Sequence, residues 1–236
     1  MEKTLKNIVV TGAGGGMGKK ISKYAVTAGF KIIAIGKDES KLEALQKELG
    51  AENVTPIQVD LEDIKATQAI IEFIKKTHGR ISWLINNAGY ISKNESESVS
   101  EVFRKTFYIN TRASILMSFG ILPAIEENGG VINISSTASI WGNTSYPVYS
   151  ASKAALNIFG VSMAKKMIGT TIKIITICPG PTNTQMRENF FGDASHHQDP
   201  EVVASLIADI IKGTTSYSNG DVVIIKDGQQ KLFSSI

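Results

Sequence analysis

Seven short runs rich in β-branched residues punctuate the chain. They are IVVT at 8–11, KIIAI at 31–35, VTPIQV at 54–59, WLIN at 83–86, VINIS at 131–135, KIITIC at 173–178 and DVVII at 221–225. Most lack strict polar alternation, the pattern of strands buried on both faces in a parallel sheet covered by helices. Amphipathic stretches separate them. One, at about 17–28, stops at Gly29, a suitable left-handed C-cap, and another, Lys41 to Leu49, is followed by Gly50. A third opens at Asp199-Pro200, an N-cap residue followed by proline in the first turn. Strand–helix alternation along the whole length predicts a doubly wound α/β fold. With no linker, repeat or low-complexity tract, residues 1–236 read as one domain. Ligands of such folds bind beyond the carboxyl ends of the strands, near the topological switch point. Chemistry should therefore sit just after the strands.

Composition narrows the class without naming a function. A 42% hydrophobic and 20% charged chain is ordinary for a globular protein, and a net charge of +3 gives no argument for nucleic acid or membrane binding. No apolar run approaches the roughly 18–20 residues that span a bilayer. The opening MEKTLKNIVVTGAG reaches a strand-like run at once and lacks the regions of a signal peptide. Cys178 is the single cysteine, so no intrachain disulfide forms. A cytoplasmic location is expected.

The motifs do fall after the strands. TGAGGGMG, residues 11–18, follows the first and opens a helix. Glycines there let the backbone approach a pyrophosphate, which the helix N-terminus meets with N–H donors. A strict G-x-G-x-x-G reading fails at Met17, and the spacing is T-G-x-x-x-G-x-G through Gly12, Gly16 and Gly18. Asp60-Leu61 follows the third strand, offering a carboxylate to an adenine amino group. NNAG at 86–89 follows the fourth, Asn110 lies in a long helical segment, and Ser135-Ser136 follows the fifth. In YPVYSASK, Tyr149 and Lys153 are four apart and share a helix face, whereas Pro147 makes Tyr146 a loop position. A phenol with pKa near ~10 is an available acid at neutral pH, and a nearby ammonium should draw it down. Tyr149 is the catalytic candidate.

This set resembles the short-chain dehydrogenase/reductase family from Thr11 to about Asp227, particularly its NADP(H)-dependent carbonyl and 3-oxoacyl reductases. The resemblance implies a single Rossmann-type domain with a seven-stranded parallel sheet in the order 3-2-1-4-5-6-7. It implies that Tyr149 protonates a substrate carbonyl as hydride arrives, with Ser136, rather than Ser135, orienting the oxygen. Lys153 would hold the nicotinamide ribose and tune Tyr149, and Asn110 would position a relay water. The cofactor would lie along Gly12, Gly14, Gly15, Gly16, Met17 and Gly18, then Asp60, Leu61, Asn87, Ala88 and Gly89. In PGPTNT at 179–184, Pro179, Gly180, Thr182 and Thr184 would hold the carboxamide, with Thr182 in place of the usual branched aliphatic. NAD-preferring relatives end the second strand on an acidic residue. Here Gly36 takes that position and Lys37 follows, which favours NADP(H), although Asp38 could swing in against a 2′-phosphate.

The substrate is less legible. Residues 185–199 should form a lid, with Met186, Phe190, Phe191, Trp141 and Tyr146 as an apolar wall and Arg187 as a solvated side chain. His196-His197 lack helical spacing and companions, so no metal is expected. Glu126-Glu127-Asn128 and Gly169-Thr170-Thr171 give no basic dock for an acidic carrier protein, with Lys165 and Lys166 the nearest cations. A small carbonyl or alcohol is expected. Helix 149–168 carries Leu156, Phe159, Met163 and Met167 on one stripe and Ala151, Ala155 and Ile158 on another. The resemblance implies that this helix and the Asn110 helix pair with a second subunit in a homodimer or homotetramer, the alternative being a helix deeply sunk in its own domain. Three rival readings stand: a 3-oxoacyl reductase acting on a carrier protein or CoA, an NAD-linked alcohol dehydrogenase, and a non-catalytic nucleotide sensor.

Overall fold

The computed structural model describes residues 6–92, 98–192, 195 and 197–234, less the side chains of Phe190 and Phe191. The chain begins β1 (Lys6–Thr11), α1 (Gly16–Thr27), β2 (Phe30–Gly36), α2 (Glu39–Leu49), β3 (Val54–Gln58), α3 (Ile64–His78) and β4 (Ile81–Asn86). It continues through α4 (Val99–Phe107), a π-helical turn (Tyr108–Arg112), α5 (Ala113–Ile121), β5 (Ile125–Ile134), the short α6 (Ala138–Trp141) and α7 (Pro147–Lys166). It ends with β6 (Lys173–Pro179), α8 (Gln185–Phe191), α9 (Pro200–Lys212), β7 (Val222–Lys226) and β8 (Gln229–Ser234). All seven expected strands are present, in the order β3-β2-β1-β4-β5-β6-β7-β8.

The eighth strand corrects the seven-stranded, all-parallel expectation. β8 pairs antiparallel with β7 across Asp227 and Gly228, whose φ values of 51° and 76° make a tight hairpin turn. Its residues are mostly exposed, so no apolar run announced it. The Asp-Gly dipeptide was the available signal.

The strand interiors are buried on both sides, as their apolar runs require. Ile8, Val10, Ile32, Ala34 and Ile85 face a core closed by α1, α2 and α9, while Val9, Ile33, Leu84 and Val131 face one closed by α3, α5 and α7. Helix ends follow local chemistry. Asp38, Asp63 and Asp199 cap α2, α3 and α9, and Ser98 with Glu101 forms a reciprocal capping box on α4. Pro147 sits in the first turn of α7, so this helix starts and stops two residues before the expected 149–168.

β1 lies between β2 and β4, where the strand order reverses. The two loops that leave β1 and β4 thus open side by side at the carboxyl edge.

Candidate active site

One polar residue ties those two loops together. Thr11 Oγ1 accepts hydrogen bonds from the Asn87 and Ala88 N–H groups, each at 3.0 Å. Asn87 Nδ2 returns to the carbonyls of Thr11 at 2.9 Å and Gly12 at 3.2 Å. Gly12 holds φ +64°, and a Cβ there would meet Ala88 Cα at 2.9 Å. Conformation and space both exclude a side chain. Deeper in, Asn86 Nδ2 donates to Asn133 Oδ1 and Ser118 Oγ, each at 2.9 Å, which joins β4 to β5 and α5.

A cleft of about 580 Å³ opens above these loops. Gly12, Gly15, Gly16, Met17 and Gly18 form one side, with Asn87, Ala88 and Gly89 beneath. Ser136, Tyr149 and Lys153 stand at the far end, and Pro179, Gly180, Thr182 and Thr184 close the remaining wall. Gly14, Gly36, Lys37, Asp60, Leu61 and Asn110 lie outside the wall. Gly14 instead packs on Lys41 of α2, and Lys41 lines the cleft, a residue the sequence reading passed over.

The phosphate-sized end of the cleft suits a dinucleotide. α1 starts at Gly16 with no side-chain cap and no acidic residue in its first turn, so its leading N–H groups are open to an anion. Gly18 is a packing glycine, because a Cβ there would sit 2.1 Å from Gly12 O.

Lys37 bonds Asp60 at 2.7 Å, and the two candidates occupy each other. Asp60 is partly desolvated, which opposes ionisation, yet the Lys37 ammonium and the Glu62 N–H hold its carboxyl below the usual range. Asp38 caps α2, accepting from Lys41 N at 3.2 Å and Ser40 Oγ at 2.7 Å. Its side chain is thus engaged by the helix start.

At the chemical end, the Ser136 hydroxyl stands close enough to the Tyr149 phenol to favour its ionised form. Ser136 Oγ also accepts from Ala138 N at 3.1 Å, which fixes its direction. Ser135 also lines the cleft, but its hydroxyl donates to Lys153 O at 3.1 Å and so braces α7. Burial raises the Tyr149 phenol above its ordinary value, against the pull of the Ser136 hydroxyl and the Arg187 charge. This corrects the expected lowering by Lys153. The Lys153 Nζ donates to Ile134 O at 2.8 Å and lies 6.0 Å from the Tyr149 ring centre. Burial also lowers Lys153 itself to about 8.

Asn110 is fully buried in the π-helical turn. Its Oδ1 accepts from Tyr90 N at 2.6 Å and its Nδ2 donates to Tyr90 O at 2.9 Å and Ser152 Oγ at 2.9 Å. Gly89 lies against both groups, since a Cβ built there would stand 3.6 Å from Lys153 Nζ and 3.7 Å from Asn110 Oδ1. The wide turn presents Asn110 to the loop after β4.

The wall after β6 is braced by a residue the sequence did not mark. Gln198 Nε2 donates to Thr182 Oγ1 at 3.0 Å and Ile225 O at 3.3 Å, and Thr182 Oγ1 donates to Gly180 O at 2.9 Å. Thr182 thus gains a hydrogen-bonded brace where an aliphatic would only pack. Thr184 caps α8 and touches Gly16, which brings the loops after β1 and β6 into contact.

A model described as short chain dehydrogenase matches residues 6–194. The chain belongs to that family. Among curated relatives of this short-chain dehydrogenase is an NADP-dependent 3-hydroxy acid dehydrogenase, YdfG, of Salmonella typhi. It is 33% identical over 177 residues, covering 73% of this chain and 71% of the relative. A benzil reductase of Saccharomyces cerevisiae, IRC24, is 26% identical over 94% of this chain and 96% of its own. A crystal structure of a 3-ketoacyl-(acyl-carrier-protein) reductase from Brucella melitensis, complexed with NADH, superposes with a TM-score of 0.85 at 21% identity. That superposition covers 94% of this chain and 97% of the other, and shows the shared fold.

Of the expected lid wall, Trp141 and Met186 line the cleft of this short-chain dehydrogenase. Tyr146 lines a small side pocket behind Tyr149. The Phe190 and Phe191 side chains, and residues 193, 194 and 196, lie outside the described residues, and with them His196 of the histidine pair. Arg187 departs from the expected solvated side chain. It is half-buried on α8 and lines the cleft beside Tyr149. Among the described residues no three His, Cys, Asp or Glu side chains gather as a metal set, and no helix is long and apolar enough to cross a membrane. Cys178 is a free, buried thiol on β6, raised by burial despite hydrogen bonds from its polar neighbours.

Proposed function

We propose that this oxidoreductase reduces a small ketone or aldehyde with NADP(H) as its preferred cofactor, Tyr149 being the general acid. The observation that carries this reading is that Ser136, Tyr149 and Lys153 line one glycine-walled cleft, with Ser136 near enough to act on the Tyr149 phenol. A bound nicotinamide supplies the hydride, and the chain supplies position and the proton. A phenol kept protonated by burial has its proton in place at neutral pH. Ser136, fixed by Ala138 N, orients the substrate oxygen toward that proton. Lys153 holds the cofactor ribose, and Asn110 with Lys153 offers polar atoms for a water that returns the proton from solvent.

NADP(H) preference is supported by the cations at the start of α2. Lys37 and Lys41 both stand there, while Asp38 is engaged as a helix cap. The NADP dependence of the Salmonella relative agrees, and the ketone-reducing name of the yeast relative agrees with the reaction. A carrier-protein substrate is less well supported. Lys165 and Lys166 sit at the far end of α7, about 25 Å from Tyr149 at 1.5 Å per residue. The substrate is thus a small molecule, and the free thiol suits a cytoplasmic enzyme.

The test is Tyr149→Phe. NADPH should still bind with unchanged nicotinamide fluorescence, while carbonyl reduction falls by at least about 100-fold, the usual worth of a positioned acid. Full turnover in this variant would remove the mechanism. Failure of the wild-type protein to bind either NADPH or NADH would bring the sensor reading forward.

A further inference from the structure

We infer that Ser139 and Asn157 are positioning residues of this enzyme, joined in one hydrogen-bonded chain that holds Ser136 in place opposite Tyr149. This rests on the carbonyl-reductase reading of the cleft, in which Ser136 orients the substrate oxygen. Ser136 lines the cleft, whereas Ser139 and Asn157 stand behind its wall. Any effect of theirs on the reaction therefore passes through another residue.

Ser136 lies on the turn that enters α6, a helix of only four residues. So short a helix has little cohesion of its own, because a first turn costs more backbone freedom than its bond returns. Side chains must hold it. The Ser136 carbonyl accepts from Ser139 twice, from its N–H at 3.0 Å and from its hydroxyl. Ser136 Oγ accepts from Ala138 N at 3.1 Å. The main chain and the side chain of Ser136 are thus fixed by separate contacts, and the first depends on Ser139.

Ser139 is in turn held from outside α6. Asn157 follows Lys153 by four residues and Tyr149 by eight on α7, so the three share a helix face. Its Nδ2 donates to Ser139 Oγ at 2.8 Å. Its Oδ1 accepts from Cys178 Sγ of β6 at 3.8 Å. The bonds run in one direction, from thiol to amide to hydroxyl to the Ser136 carbonyl. Ser135 Oγ lies 3.2 Å from Ser139 Oγ and donates to Lys153 O at 3.1 Å, which adds a second link from the same turn to α7. A satisfied polar network away from bulk water specifies one geometry more narrowly than apolar packing does. The geometry specified here is the placement of Ser136 against the helix that carries Tyr149 and Lys153.

Two measurements test this. The first is a double-mutant cycle on the reduction of 2,3-butanedione with NADPH. Ser139→Ala and Asn157→Leu should each lower kcat about 10- to 100-fold, the cost of a displaced reacting group, with NADPH affinity unchanged. Ser139→Thr keeps the hydroxyl and should recover most of the loss. In a Ser136→Ala background, Ser139→Ala should cost less than about twofold more, since its effect is already spent. Equal losses in both backgrounds overturn the inference and make Ser139 a general support of the fold. The second measurement is amide hydrogen exchange, which needs no turnover. Exchange at Thr137 and Ala138 should quicken about 10-fold in both variants while β1 and β4 keep their protection. Unchanged exchange at these two amides, or a uniform rise along the chain, overturns the inference. Full turnover in Ser139→Ala and Asn157→Leu defeats it and leaves the reductase reading standing. Local loosening in a protein that reduces no carbonyl supports the brace and defeats that reading instead.

Discussion

Lys153 shows how a cleft residue can work against the stability of its own fold. Its side chain is 3% exposed, and burial brings its pKa from 10.5 to about 8. The charged form is therefore disfavoured in the folded protein relative to the unfolded chain. Between those two values the unfolded chain binds more protons, so this group adds stability as pH rises through the window. Below pH 8 the full penalty is present, about 3 kcal/mol at roughly 1.4 kcal/mol per unit. Lys153→Met removes the penalty and loses the bond to Ile134 O, worth about 1 kcal/mol. Its cofactor-free form should melt several degrees above wild type at pH 7, at roughly 2–4 °C per kcal/mol. That advantage should shrink to nothing by about pH 10.5, and carbonyl reduction should be lost throughout. Thermal melts at pH 7, 9 and 10.5 check the sign. A variant that is less stable at neutral pH would mean that the Ile134 bond outweighs desolvation.

The elements matter here chiefly through the loops at their ends. Thr11, Gly12, Asn87 and Ala88 join the loops after β1 and β4, and Thr184 against Gly16 joins those after β1 and β6. At the start of α2, Lys37 is occupied by an exposed ion pair with Asp60, of a kind worth little and readily exchanged. Lys41 is paired only loosely, at 3.4 Å from Asp38, and already faces the cleft. Lys41→Ala should weaken NADPH about 10-fold and leave NADH nearly unchanged, since a 2′-phosphate contact is charge-assisted. Lys37→Ala should weaken it less, because Lys41 lines the cleft and Lys37 lies outside its wall. Fluorescence titrations with both cofactors decide between them, and a larger loss at Lys37 would reverse the assignment. The sequence made Lys37 visible because it follows directly on a strand, whereas Lys41 reaches the cleft only through the packing of α2 on Gly14. The same limit applies to Gln198 and Arg187. Glycines, the NNAG loop, Ser136 and the Tyr149–Lys153 pair carry local spacing that a sequence displays. A brace from a distant loop, or a charge turned inward by a helix cap, has no local pattern. β8 escaped for the opposite reason, being exposed and polar enough to carry no core signal.

At the scale of the molecule, the second stripe of α7 is the open question in the fold's surface. Leu156 and Met163 are buried in the domain, but Ile158 is 68% exposed, which excludes a helix sunk in its own core on all sides. α7 packs against both α4 and α5, and those helices add exposed Phe103 and Phe119, each near half exposed. The Phe119 ring lies 5.9 Å from Phe159 of α7, so the apolar surface runs from one helix to the next. Exposed apolar side chains on neighbouring helices are costly to hydrate and favour a partner. We propose a second copy of the chain as that partner, as the family resemblance implies. Sedimentation velocity at micromolar concentration should give a dimer or tetramer for wild type. Ile158→Glu would place a charge in a dry contact and should shift the protein to monomer, with its circular dichroism retained because the side chain is mostly exposed in the single chain. Cofactor binding then separates two roles for assembly. Unchanged NADPH affinity in the monomer would make the interface a stabilising device, whereas a loss would mean that α4 and α7 must be clamped from outside to hold Asn110, Tyr149 and Lys153 in register. A wild-type protein that sediments as a monomer would remove the interface altogether.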